Sequence, residues 1–269
     1  MKKYLSLLAM VFAVCLFTAC SDDDPKGGEG DNGKVIEALV GTWNVEESVE
    51  NADGSVDGSV KIKWDVPAGT AINIDLFGTG QPMPMDINET IVPLANSMAN
   101  AFLPKLLKSV TFGKDGSITA VYKDADDMDD ASAKWQEAKG YVSYKVVDDT
   151  HINILLNADK ILSDVDVDDA EDAAEKEMMK KLLDQFGSGI PVNIRWNADK
   201  SKAYFFVDKA YIQPMIVTLN DFIQKIPTTN FDEDDLKTLK MLKSVVEQLP
   251  EIMNKTTAFE AGLELEKQN

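Results

Sequence analysis

The chain has 269 residues, 44% of them hydrophobic, which suits one large domain or two small ones with a real core. Its 46 acidic and 27 basic residues give a formal charge of −19 at pH 7. Such a surface repels nucleic acid and anionic lipid headgroups, so the composition argues against a nucleic-acid-binding function.

The N-terminal residues have the pattern of a secretory signal. Lys2 and Lys3 precede an apolar run from Leu5 to Ala19, which is too short for a transmembrane helix. The run ends in Thr18-Ala19-Cys20, which resembles the lipobox of bacterial lipoproteins. The resemblance implies cleavage before Cys20 and acylation of Cys20, and several acyl chains anchor a protein durably. An ordinary signal with an incidental cysteine is the alternative.

An acidic segment follows this cysteine. Residues 21–24, Ser-Asp-Asp-Asp, resemble the signal that exports lipoproteins of Bacteroidota to the outer leaflet of the outer membrane. The resemblance implies a location facing the cell exterior, and a solvated periplasmic linker is the alternative. Residues 25–33 are rich in Gly and Asp and predict a flexible spacer. We therefore expect a signal peptide over 1–19, a tether over 20–34 and one folded domain over 35–269.

Both cysteines lie outside the expected domain. Cys15 belongs to the leader and Cys20 is the lipidation site. The mature domain therefore has no disulfide, no cysteine nucleophile and no Cys-ligated metal.

Alternating patterns predict the first strands of the domain. An apolar run leads into Gly41-Thr42-Trp43, which resembles the Gly-x-Trp opening of lipocalins. Residues 60–66 and 72–76 then alternate apolar and polar side chains, as half-buried strands do.

Later segments predict three hairpins and a last strand. The hairpins cover residues 109–122, 140–156 and 192–207, with turns at Asp115-Gly116 and Asp148-Asp149 in the first two. Residues 259–265 alternate again, and we expect this strand to close a barrel by pairing with the first.

Helical periodicity separates these β segments. Apolar stripes predict helices over residues 88–107, over a run ending at Phe186, over 211–226 and over 232–253. Pro93 fits an early helical turn, and Pro104 is expected to kink or end the first helix. The predicted fold is mainly β with helical insertions (α+β): an antiparallel up-and-down, lipocalin-like (calycin-type) barrel of about 8–10 strands.

Several motifs together resemble the lipocalin-like lipoproteins of Bacteroidota. They are the Gly-x-Trp opening, the segment Thr111 to Gly116, the strand end Tyr144 to Asp149, and the lipobox with its acidic run. The resemblance covers the β segments, about half of the chain. The long helical insertions depart from a plain lipocalin and leave open whether the barrel has an open mouth.

Aromatic residues of the predicted strands are the candidates to line a ligand cavity, and they are equally suited to fill the barrel as core. These candidates are Trp43, Trp64, Tyr122, Tyr144, Trp196 and Phe205.

Two polar features of the sequence are candidate sites. Asp164, Asp166, Asp168 and Glu175 are spaced partly like a calcium loop, but Asp169 stands where the turn requires Gly, and helix capping is the alternative. His151, the only histidine, is expected on the polar side of its strand, and no Gly-x-Ser-x-Gly supports a catalytic triad. No cofactor is expected apart from this Ca²⁺ candidate.

Taken together, these features predict a non-enzymatic outer-membrane lipoprotein, anchored through Cys20, that binds a small apolar ligand or a glycan in or near its barrel. Two alternatives stay open. One is a structural or adaptor lipoprotein whose filled barrel docks a protein partner through its helices. The other is a carbohydrate-active hydrolase that uses two carboxylates.

Overall fold

The computed structural model describes residues 35–75, 81–130, 132–164, 170–226 and 233–268. Its strands are β1 (Gly41–Val45), β2 (Val49–Glu50), β3 (Val56–Asp57), β4 (Val60–Asp65), β5 (Ala71–Ile74), β6 (Met83–Asp86), β7 (Leu107–Phe112), β8 (Ser117–Tyr122), β9 (Gln136–Asp148), β10 (His151–Leu156), β11 (Ile190–Trp196), β12 (Lys202–Asp208) and β13 (Ala258–Lys267). Its α-helices are α1 (Val92–Leu106), α2 (Ala158–Ser163), α3 (Ala170–Gln185), α4 (Lys209–Gln224) and α5 (Glu233–Lys255).

Eight antiparallel strands form a closed up-and-down barrel. The order is β1-β7-β8-β9-β10-β11-β12-β13, and β13 pairs back onto β1 with Trp43 opposite Lys267. The prediction of a lipocalin-like, mainly β fold with helical insertions is therefore confirmed, as is closure of the last strand on the first.

Two strands share one position in the barrel wall. The C-terminal part of β13 pairs with β1, whereas residues Ala258 to Leu263 pair with β4. Strand β4 thus continues the position of β1 towards one end of the barrel, and the small β2–β3 hairpin is the excursion between them.

The long connections all lie at one end of the barrel. In an up-and-down barrel, alternate connections fall at the same end, and here these are residues 46–106, 123–135, 157–189 and 209–257. The opposite end has only the short β7–β8, β9–β10 and β11–β12 turns and the start and end of the described domain. We call these the helix end and the tight-turn end.

Helix α1 covers the free edge of β4. The amide side chains of Asn96 and Asn100 each accept a hydrogen bond from one β4 peptide N–H and donate one to its C=O, at Ile62 and Val60 respectively. These two side chains replace the neighbouring strand that β4 lacks on this side. The edge is thereby protected from pairing with another chain.

The first predicted helix, residues 88–107, is observed over residues 87–106. It begins with a π-helical turn, Ile87–Ile91, which the carboxylate of Asp86 caps. Pro104 does not end it, and α1 continues to Leu106. Because proline lacks an N–H, the carbonyl of Asn100 loses its helical donor. The hydroxyl of Ser48 donates to that carbonyl instead, at 2.6 Å.

None of the helices within the described ranges is both long and apolar enough to cross a bilayer.

Candidate functional site

Aromatic side chains fill the tight-turn end of the barrel. Trp43 is fully buried, and its indole N–H donates to the carbonyl of Leu39 at 2.7 Å. Its ring lies 5.8 Å from that of Trp196 and 5.7 Å from that of Phe205. The ammonium group of Lys267 stands 5.5 Å from the centre of the Trp43 ring and donates to the carbonyl of Ala38. This end of the barrel is therefore closed by packed rings beneath a cation.

The aromatic cluster extends across the barrel to β7 and β9. Phe205 stacks on Phe112 with ring centres 5.4 Å apart, and Phe112 meets Tyr144 edge-on at 5.5 Å. The Tyr144 hydroxyl donates to the carbonyl of Gly113 at 2.7 Å. Burial, and secondarily the carboxylate of Asp115, raises the pKa of Tyr144, so this hydroxyl stays neutral and acts as a structural donor.

An apolar cavity of about 130 Å³ lies inside the barrel next to this cluster. Every residue that lines it is apolar, and the residues come from β7 to β13. Among them are Phe205, Ile118, Val142, Ile154, Val207 and Leu263. A cavity of similar size lined by aliphatic and aromatic groups stays dry and accepts benzene. The chemistry of this site is therefore restricted to a small molecule without charge or strong hydrogen-bonding groups.

Helices α3 and α4 cover the side of this cavity that faces the helix end. Leu182 of α3 and the following Phe186 pack with Ile190 and Val207, two residues that line the cavity. Ile212 and Met215 from the first turns of α4 join the same cluster. A ligand larger than the cavity therefore requires these helices to move.

The six predicted ligand residues occupy three different places. Trp43, Tyr144, Trp196 and Phe205 belong to the aromatic cluster, and of the six only Phe205 lines the cavity. Tyr122 is buried elsewhere in the barrel interior, where its hydroxyl donates to Gln136 at 3.1 Å. Trp64 packs edge-on against Phe259 and donates to the hydroxyl of Thr256.

The sequence contained a signal for the residues that do line the cavity. Most of them are the inward-facing residues of the alternating strands. Examples are Ile154 of β10, Val192 of β11, and Leu263 of β13, which lies opposite Phe205 of β12. Aliphatic side chains at these positions look the same whether they fill a core or surround a cavity. Sequence reasoning therefore selected the aromatic residues and missed the aliphatic wall.

Most candidate ligands of the predicted calcium loop lie outside the described residues. Asp164 directly follows α2, whereas Asp166, Asp168 and the side chain of Glu175 are not described. Within the described ranges no three His, Cys, Asp or Glu side chains form a group that could hold a metal ion.

His151 is the first residue of β10 and lies beside the turn between β9 and β10. Its half-exposed ring places Nδ1 2.7 Å from the carboxylate of Asp148, which also accepts the backbone N–H of Thr150 at 2.8 Å. The N–H of Thr150 first, and His151 second, lower the pKa of Asp148 to about 2. This arrangement stabilises a turn.

Several other carboxylates accept hydrogen bonds in the same type of turn. Asp53, Asp115, Asp130 and Asp199 each accept both the hydroxyl and the backbone N–H of the serine two residues later, and these bonds lower the pKa of each carboxyl group. The general acid of a glycoside hydrolase needs the opposite shift. These carboxylates therefore give the hydrolase alternative no support.

An ionic cluster around Arg195 lies on the outer face of the barrel. Arg195, the only arginine of the sequence, forms a bidentate pair with Glu260 at 2.8 and 3.1 Å and lies over the rings of Phe206 and Tyr204. Its hydrogen bond to Glu260 raises the pKa of Arg195 and lowers that of Glu260. Burial raises the pKa of Tyr204, whose hydroxyl donates to the carbonyl of Lys61.

This cluster borders a surface cleft of about 670 Å³ between the barrel wall and α1. Its lining includes the charged and amide side chains of Lys61, Lys63, Lys202, Asn197 and Glu264 among apolar residues. The interior cavity is lined by apolar residues alone, so the two sites suit different ligands.

Comparison of the chain with protein-family models, with curated proteins and with solved structures gives no match.

Proposed function

We propose that the protein is an outer-membrane surface lipoprotein, anchored through Cys20, whose barrel binds a small apolar molecule. The apolar cavity of about 130 Å³ between the aromatic cluster and helices α3 and α4 is the observation that indicates this class of ligand. The sequence of the lipobox and the acidic run after it support the location. The barrel shape and the apolar residues that line the cavity support binding of an apolar ligand.

Filling the cavity tests the ligand site. Ala261 lines it and faces Val207 across the β12–β13 pair, so Ala261→Leu places three extra carbon atoms in the cavity. Benzene is the probe, because it matches the volume. We expect benzene to raise the unfolding temperature of the wild-type protein and to have no effect on the variant.

Ala210→Leu is the matched control, because Ala210 is exposed on α4 and makes no part of the cavity lining. A benzene effect of the same size in all three proteins would contradict the interior site. Native mass spectrometry of protein purified from its host then identifies the natural ligand. A reproducible absence of any bound molecule would favour the adaptor alternative with a filled barrel.

Lipidation and membrane side are tested separately. Cells supplied with labelled palmitate should incorporate label into the wild-type protein and none into Cys20→Ser. Protease added to intact cells should remove the domain. Complete protection of a labelled protein would contradict surface exposure and place the anchor on the periplasmic side.

A glycan is the second candidate ligand, and the surface cleft beside Arg195 is the observation that favours it. Its volume of about 670 Å³ accommodates a few sugar rings. Arg195 and Glu264 in its lining supply planar donors and acceptors. Binding to a glycan array that is lost in Glu264→Ala and retained in Ala261→Leu would assign the glycan to the cleft.

A further inference from the structure

Helix α1 exposes a line of large apolar side chains. Leu94, Met98 and Phe102 are 47, 52 and 42% exposed and follow one another at intervals of four residues, so they lie along one face of the helix. Asn96 and Asn100 hold the opposite face against β4. Single exposed apolar residues are ordinary on protein surfaces, whereas a contiguous line marks an interaction surface. We call these three residues the α1 apolar face.

The charges around this face are unusual for this chain. Acidic residues number 46 in the sequence, yet Val92 to Leu106 contains none. Lys105 stands at the C-terminal end of the helix, where its ammonium lies 5.9 Å from the ring of Phe102 and pairs with the carboxylate of Asp129 at 2.8 Å. An apolar face on a helix that contains no acidic residue and ends in a lysine is typical of helices that lie at a membrane interface.

We propose that the α1 apolar face lies in the interfacial layer of the membrane that carries the lipid anchor. This inference rests on the proposed acylation of Cys20. Residues 20–34 separate the anchor from the described domain, and a chain of that length spans at most about 50 Å. The tether keeps α1 within reach of the bilayer at a high effective concentration, so three half-exposed apolar residues suffice for a contact that they would not hold alone.

The charge of the whole chain specifies the kind of membrane contact. At −19, the protein is repelled by anionic headgroups, so the contact depends on apolar burial and changes little with salt. A docked protein is the competing occupant of the same face, and the experiment distinguishes the two.

The cysteine content allows a single-site probe of this contact. The mature chain has only Cys20, whose thiol carries lipid in the proposed form, so an introduced cysteine is uniquely labelled. Met98→Cys places an environment-sensitive fluorophore on the α1 apolar face. Val217→Cys is the matched control, because Val217 is 48% exposed and lies on α4. Both acylated variants are reconstituted into phosphatidylcholine vesicles and separated by flotation.

We expect both variants to float with the vesicles. The label at residue 98 should shift its emission to shorter wavelength and lose its quenching by iodide in the aqueous phase, and the label at residue 217 should do neither. If both variants float and iodide quenches both labels, the proposed membrane contact is refuted and the proposed anchor is not. Protection of residue 98 only after addition of envelope proteins would overturn it in favour of a protein partner. Failure to float would refute the anchor, and the contact with it.

Discussion

The side-chain amide of Asn100 pairs with the backbone of Val60 as a neighbouring strand would. Its Oδ1 accepts the Val60 N–H at 2.7 Å, and its Nδ2 donates to the Val60 carbonyl at 3.1 Å. Gly58 makes room for this amide, because a Cβ atom at residue 58 would stand 2.8 Å from Oδ1. The wall of the barrel is thus completed by a helix at the place where β4 has no strand beside it.

Removing this amide should weaken the domain strongly. Asn100 is 3% exposed, so Asn100→Ala leaves two buried backbone groups of Val60 without partners. Each unsatisfied group costs about 1–3 kcal/mol, so we expect the two together to lower the free energy of unfolding, measured with urea, by about 2–6 kcal/mol. Asn96→Ala is the control, because Asn96 is only half-buried and water can replace its amide. Equal losses in the two variants would contradict the role assigned to burial.

Truncating Phe205 should lower the stability of the protein and increase its binding of benzene. Phe205 stacks on Phe112 and lines the cavity, so Phe205→Ala should lower the free energy of unfolding by about 3–5 kcal/mol and enlarge the cavity. Benzene should then stabilise the variant more than the wild type in urea titrations. Phe259→Ala, which removes the ring beside Trp64, should lose stability without this gain. A benzene effect no larger in Phe205→Ala than in the wild type would contradict the position of the cavity.

Removing His151, the only histidine, should raise the pKa of Asp148 only partly towards its ordinary value. Its value of about 2 is due first to the Thr150 N–H and second to His151. His151→Ala should therefore raise the pKa of Asp148, measured by NMR titration, but leave it below the usual value near 3.9. Asp199, whose turn lacks a histidine, should not respond. Because the pKa is lowered on folding, this carboxylate stabilises the fold above about pH 4, and its contribution is lost as the pH falls towards 2.

Replacing Arg195 by lysine should alter the pH dependence of stability. Lysine keeps the charge but loses the bidentate geometry and the stacking on Phe206. Because Arg195 is largely exposed, we expect a loss of only about 1 kcal/mol at pH 7. Glu260 has a lowered pKa, so its contribution is complete above the unfolded-state pKa near 4.3 and disappears as the pH falls below it. Urea unfolding should therefore show the difference at pH 7 and a smaller one at pH 3; equal differences would contradict the ionic pairing.

Local patterns in the sequence predict most of the barrel. Asp115-Gly116 lies at an observed hairpin turn, and the alternation over residues 140–156 and 192–207 corresponds to β9–β10 and β11–β12. Closure was also predictable, because Phe259 to Leu265 alternates and falls within β13. These features depend on contacts between segments near each other in sequence, or on the need of a barrel to close.

Features that depend on distant segments were not predictable in the same way. Nothing in residues 60–65 indicates that β4 shares a barrel position with β1, and Asn96 and Asn100 look like ordinary polar residues of a helix until β4 is placed beside them. The cavity depends on small differences in packing among aliphatic residues such as Val142 and Ile154. Such differences arise only from the complete three-dimensional arrangement.

The pairing of Trp43 with Lys267 also determines when the domain is able to fold. β1 is synthesised before every other described strand, and its partner β13 is synthesised after them. Contacts between such distant segments are slow to form, because the intervening chain must be ordered first. The hairpins of the middle strands are therefore expected to form early, whereas the aromatic rings at the tight-turn end remain exposed until β13 arrives. In the exported lipoprotein proposed above, this order delays the burial of Trp43 until β13 has also crossed the membrane.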